Sequence, residues 1–338
     1  MAQDMTDNTG MTITRRGALA TLAAGLATRA RADAPIRLGL LHTLSPAPFY
    51  IAQELGHFTG AGVAVVFRFF EAAQPIAAAA VAGDIDVGVT ALTGGFFSLA
   101  AKGTLKVIGG ALHEQKGVEL TAILVSKAAY AAGVTSVDKL AGHSFGITQY
   151  GSSFHYMVGR LAEIAGFDPK SLTLRPLQQN ANMLAAVRTG QVDATMAIAS
   201  LARPAAASGE VHIIGWVGDF VPYQITALFA TRAMIDDRTA ALHGFCAGYQ
   251  RGVADYRVAF LTPGGNAAPV LPAIEKYVFT GDPAAETKIR EGIGWYDAGG
   301  ALDVADVKTQ LAWFQAQGMV KGAIDPAEII DSRFLPTR

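Results

Sequence analysis

From residue 33 onward, short runs rich in β-branched and aromatic residues alternate with Ala-rich stretches of helical period. That is the pattern of parallel sheets with helices packed on both faces. It predicts strands at 36–41, 63–70, 86–90 and 106–112, with helices at 48–58, 75–82 and 95–101 between them. A second series follows: helix 137–140, strand 144–148, helix 152–165, strand 172–177, helix 182–189 and strand 193–198. After 225–231 the texture turns mostly helical, with helices expected over 232–260, 268–279 and 304–317.

One internal echo bears on domain organisation. Gly83-Asp84-Ile85-Asp86-Val87 matches Gly190-Gln191-Val192-Asp193-Ala194, each after an Ala/Val-rich helix and before an apolar strand. In both, Gly ends a helix, an apolar residue re-enters the core and Asp stands at the start of the next strand. Two lobes built alike are expected, with 121–127 and 225–231 as the crossings. Lobe 2, residues 126–224, is then inserted into lobe 1, residues 33–125 and 225–338.

Composition removes several classes. Of 338 residues 51% are hydrophobic and 16% charged, with 27 Lys+Arg against 28 Asp+Glu; disorder, collagen-like repeats and a basic nucleic-acid-binding domain do not fit. The one cysteine, Cys246, cannot make an internal disulfide or a zinc site. Residues 1–32 read as an export signal: Arg15-Arg16, then the uncharged run 17–28, then Ala30-Arg31-Ala32, an A-x-A cleavage pattern. Thr14-Arg15-Arg16 suits a twin-arginine signal, and the ordinary Sec route is the alternative. Cleavage after Ala32 would leave a mildly acidic chain. No Cys follows the apolar run to take a lipid, so a freely soluble periplasmic protein is expected.

Pro48-Phe49-Tyr50-Ile51-Ala52-Gln53-Glu54-Leu55-Gly56-His57-Phe58, with Gly62-Val63 just after, resembles the opening of the solute-binding proteins of ABC importers. The subgroup is that of sulfonate, nitrate and thiamine-precursor (NMT1/THI5-like) binders. Gly83 to Gly88, Val137 to Gly142, Gly151 to Tyr156 and Gly190 to Ala194 fall in that family's order and spacing, over about residues 36 to 231. The resemblance implies an α/β, two-lobed periplasmic binding protein fold (type II). Two mixed sheets flanked by helices would be joined by two hinge strands, and a helical C-terminal tail would follow. It implies a small anionic organic ligand, a sulfonate, carboxylate or relative, captured in the interlobe cleft by hinge closure. The partners implied are the membrane permease and ATPase of an importer, with a monomeric binding protein, no cofactor and no nucleic acid.

Ligands of open α/β sheets sit beyond the carboxyl ends of strands, where helix N-termini favour anions. Ser45, Thr93-Gly94 and Gly151-Ser152-Ser153 stand at such turns. Each hydroxyl is either an ordinary helix cap or a ligand contact, and for Ser152 and Ser153 the family motif implies contact. Phe154 and Tyr223 are the aromatic candidates for the cleft wall. Glu71 would pair with a cationic group or stand as a solvated loop residue, and His42 would donate to the ligand or cap its own loop. Arg203, where the family often has Glu before Pro204, offers a carboxylate grip or is a surface residue of a helix.

No G-x-S-x-G elbow, H-E-x-x-H or P-loop occurs, so the chain is read as a binder and not an enzyme. A cleft enzyme on the same fold, thiamine-precursor synthase-like or a small-acid lyase, and a ligand-sensing binding protein are the alternatives.

Overall fold

The structure is a computed structural model that describes residues 34–338. The export signal expected at 1–32 lies outside the described residues.

Two five-stranded sheets organise the chain, and they share one topology. In the first, the order is β2-β1-β3-β12-β4, with β1 Ile36–Leu41, β2 Val65–Phe70, β3 Val87–Ala91, β4 Leu105–Gly110 and β12 Thr226–Thr231. In the second, the order is β10-β6-β9-β7-β8, with β6 Thr121–Ser126, β7 Ser144–Ile147, β8 Thr173–Pro176, β9 Ala194–Ile198 and β10 Val211–Trp216. In each, the first strand of a βαβαβ unit lies parallel to its two successors. An antiparallel strand from elsewhere in the chain then closes on the third. The interior strands β3 and β6 are buried along their whole length, as strands covered on both faces must be.

The repeated Asp explains how each unit is pinned. Asp86 accepts from the Arg37 backbone N–H at 2.9 Å and pairs with the Arg37 guanidinium at 2.7 Å. Asp193 accepts from the Ser144 N–H and hydroxyl at 2.8 and 2.7 Å. In both sheets the carboxylate at the start of the third strand ties down the start of the first. Burial opposes ionisation of Asp86, but the Arg37 bonds hold its pKa below the ordinary value.

A small antiparallel sheet of β5 Leu112–Glu114, β11 Tyr223–Gln224 and β13 Trp295–Tyr296 lies where the chain passes between the two. The expected strand 106–112 therefore divides at Ala111, β4 staying in the first sheet and β5 leaving it. The segments expected as crossings are interior strands, β6 in the second sheet and β12 in the first. The passages run just before them, at 115–120 and 217–225.

Several expected helices are shorter or interrupted. The one at 48–58 becomes Ala47–Glu54 and His57–Gly60, because Gly56 takes φ 73° between them. Residues 232–260 form Arg232–Asp237, Thr239–Tyr256 and a π turn, Arg257–Leu261. Of 268–279 only Leu271–Glu275 is helical, and Phe279 has φ 62°. Helix Ala285–Glu291 and strand β10 were not expected, and helix Ala199–Ala207, which carries Pro204 inside it, is the setting that the surface reading of Arg203 required.

The tail is part of the body. Thr239–Tyr256 packs on Ala47–Glu54 in the core beside the first sheet. Phe314 of helix Val304–Ala316 lies against Gly94, and Trp313 of the same helix against Gly159 of helix Ser153–Ala165. One C-terminal helix thus touches helices that belong to both sheets.

Candidate functional site

The carboxyl ends of both βαβαβ units open on one cavity of about 180 Å³. From the first unit it receives Thr43, Leu44 and Ser45 after β1, Glu71 after β2, and Ala91 and Thr93 at and after β3. From the second come Thr148, Gln149 and the start of helix Ser153–Ala165 after β7, Gln178 to Asn180 after β8, and Ile198 at the end of β9. Leu112, Leu120, Thr121, Ile225 and Thr226 form its floor between the sheets, and Tyr256, Gly292 and Gly294 reach it from the tail. Strand ends facing one crevice are where α/β folds bind ligands.

Each of two helix starts at the cavity is capped within the protein. Ser152 caps Ser153–Ala165, its hydroxyl oxygen accepting from the His155 N–H at 3.3 Å, and Thr93 accepts from the Phe96 N–H at 3.0 Å. Gly151, at φ 78°, donates its N–H to His155 Nδ1 at 3.1 Å. Burial pushes the His155 imidazole down to about 4, so it is neutral at pH 7 and Nδ1 can accept. The Gly94 N–H donates to the Gly151 carbonyl at 3.1 Å, joining a turn of the first unit to a turn of the second. Gln178, a non-glycine residue at φ 69°, stores backbone strain at the cavity wall.

Of the residues singled out in the sequence, Ser45, Glu71, Thr93, Ser152, Ser153 and Phe154 line the cavity. The other four are placed elsewhere. His42 Nε2 meets the Tyr277 carbonyl at 2.5 Å and its ring lies 4.8 Å from Phe69. Gly94 sits behind Thr93 against Phe314 and Met319. Arg203 pairs with Glu119 and lies over the Trp216 ring. Tyr223 is buried in β11 against Tyr156, and burial raises its phenol well above the ordinary value. Sequence reasoning missed Thr43, Gln149, Gln178, Gln179, Asn180 and Thr121. The one available signal was their position just after, or at the start of, strands of the repeated unit.

Glu114, at the end of β5, lies behind the cavity floor. It is 0% exposed, and among the described residues neither carboxyl oxygen has a hydrogen-bond partner of good geometry. The Thr121 hydroxyl and the Gly218 N–H face it, and Asp219 adds like charge; burial pushes its pKa up to about 8.

Among solved structures, the periplasmic aliphatic sulphonate binding protein SsuA from Escherichia coli is similar at 20% identity and TM-score 0.68. The match covers 88% of this chain and 92% of that one. The alkanesulfonate-binding protein SsuA from Xanthomonas axonopodis pv. citri, bound to MOPS, is similar at 17% identity and TM-score 0.69, over 88% and 98%. The periplasmic nitrate-binding protein NrtA from Synechocystis PCC 6803 is similar at 14% identity and TM-score 0.65, over 88% and 86%. These place the fold among the two-lobed periplasmic binding proteins. A search of curated proteins finds no match. The family model described as NMT1/THI5 like matches residues 44–258, well over half of the sequence, and the chain belongs to the NMT1/THI5-like family.

Proposed function

We propose that this protein is the extracytoplasmic solute-binding component of an ABC importer, holding a small organic molecule between its two sheets and closing over it. The observation that carries the reading is the single cavity walled by the carboxyl ends of two matching βαβαβ units. Two passages of chain, 115–120 and 217–225, connect these units and let them rotate. Family membership and the neighbours, described as sulphonate- and nitrate-binding proteins, agree with it. In this reading the unit from β6 to β10, residues 121–216, moves as one lobe against 33–114 and 226–338, so the lobe boundary expected at 126 shifts back to keep β6 whole in the second sheet. Ser45, Glu71, Thr93, Ser152, Ser153 and Phe154 touch the ligand, while Gly94 acts through its bond to Gly151.

The role is binding without catalysis. Cys246, the one thiol, is buried in the core beside the first sheet and pushed up to about 12, far from a nucleophile's range. The protein is exported by a signal in residues 1–32, cleaved after Ala32, and works as a monomer in the periplasm beside a permease and an ATPase.

Native mass spectrometry of protein purified from its own host tests this, and a retained small molecule is expected. Removing it should lower the melting temperature and restoring it should raise it again. Chemical turnover of the retained molecule by the purified protein would overturn the reading in favour of an enzyme.

A further inference from the structure

We propose that the cleft selects a small organic amine, an ammonium group on an apolar body, in place of the oxyanion expected from its helix starts. The inference rests on the solute-binding reading and names the class of ligand.

Charge comes first. No Lys, Arg or His is among the residues that line the cavity, and Glu71 is their one carboxylate. It stands exposed at the rim, and among the described residues no salt bridge or hydrogen bond engages it. The two donors that the sequence offered are held away from the cleft, His42 by the Tyr277 carbonyl and Arg203 by Glu119. An anion would meet Glu71 with no side chain to neutralise it, whereas an ammonium would make a charge-assisted bond there.

The backbone offers an anion fewer donors than its helix starts suggest. An oxyanion at a helix N-terminus needs free N–H groups. At these two turns the N–H groups of Gly94, Phe96, Gly151, Ser152 and His155 are already given to protein acceptors, and those of Gly95, Ser153 and Phe154 are left, with no cationic side chain in the lining to help them hold a full negative charge.

Acceptors, by contrast, are left over. Among the described residues the Thr43 hydroxyl oxygen is buried without a partner, and the side-chain amides of Gln149, Gln178, Gln179 and Asn180 line the cavity without a hydrogen bond to another of those residues. Their oxygens can take the remaining ammonium hydrogens. Leu44, Leu120, Ile198 and Met157 supply an apolar wall for the body of the molecule.

The test is calorimetric titration of ligand-stripped protein with four compounds that share a phenylethyl body: 2-phenylethylamine, 2-phenylethanol, 3-phenylpropionate and 2-phenylethanesulfonate. It is run beside identification of the molecule retained by host-purified protein. The amine should bind at least tenfold tighter than the alcohol, and the two anions weakest. Glu71→Gln should bring the amine to the level of the alcohol, costing the amine at least tenfold more affinity than it costs the alcohol. The retained molecule should carry an amine. Equal binding of amine and alcohol, tightest binding of either anion, or retention of an anionic molecule would overturn the inference and leave the solute-binding reading standing. If none of the four binds and nothing is retained, the solute-binding reading itself fails, and the inference with it.

Discussion

At the scale of single residues, Glu114 has the clearest consequence. A carboxyl shifted to about 8 from 4.5 keeps its proton in the folded state over a range where the unfolded chain has lost it. Its contribution to stability is complete below pH 4.5 and disappears as pH rises toward 8. Asp306, raised to about 6 by burial, acts in the same direction but is finished near pH 6. His155, lowered to about 4, acts in the opposite direction, since the unfolded imidazole gains its proton first as pH falls, and it is spent above about pH 6.5. Between pH 6.5 and 8 Glu114 is therefore the dominant of these groups. The melting temperature of the parent should fall across that window, and Glu114→Gln should flatten the slope; a variant as steep as the parent would show the carboxyl to be already ionised at pH 6.5. Ser152 makes a simpler case. Its oxygen satisfies the His155 N–H, so Ser152→Ala should lower the unfolding free energy by about 1 kcal/mol, read from urea denaturation.

At the scale of elements, helix Thr239–Tyr256 meets helix Ala47–Glu54 so closely that Gly252 has no room for a methyl group. A Cβ there would stand 2.2 Å from the Pro48 carbonyl oxygen and 2.9 Å from the Ala52 Cβ. Alanine is the better helix former by about 1 kcal/mol, but overpacking a filled interface costs about 1–3 kcal/mol. Gly252→Ala should lower the urea midpoint with an unchanged slope, and a raised midpoint would mean that the two helices separate at little cost. Neither this contact nor the role of the tail was legible in the sequence, because the residues that meet are some two hundred positions apart. What was legible was local. The alternation from 36 to 231 located most of the strands and helices, and the Gly-x-Ile/Val-Asp echo marked the same corner of both sheets. The switch of sheets at Ala111 and the partner of Arg203 at Glu119 depend on long-range pairing, which no nearby residue signals. In the site, helix-start residues such as Ser152 announced themselves by type, while Gln178 at positive φ looks from sequence like any loop glutamine.

At the scale of the whole molecule, the bond from the Gly94 N–H to the Gly151 carbonyl connects the two units directly beside the cavity. If closure holds the ligand, this bond belongs to the closed form and should bias the equilibrium between open and closed states. Gly94→Pro isolates it. Gly94 is the first residue of helix Gly94–Ala100, a position where proline is favoured. Thr93 before it is extended, at φ −90° and ψ 163°, as a residue preceding proline prefers. A Cβ there would meet Met319 and Phe314 at 3.4 Å, an ordinary contact. The helix should therefore survive, while the N–H is lost and the proline ring faces the Gly151 carbonyl. A net hydrogen bond of about 0.5–1.5 kcal/mol corresponds to about 2- to 12-fold in the closure equilibrium. Affinity for the tightest binder of the four-compound set should weaken by that factor, and small-angle scattering of the ligand-bound variant should show a larger radius than the ligand-bound parent. Unchanged affinity together with an unchanged scattering profile would place the Gly94 to Gly151 contact in the open form as well, and the pivot for closure would then have to lie on the Gly94 side of the cavity.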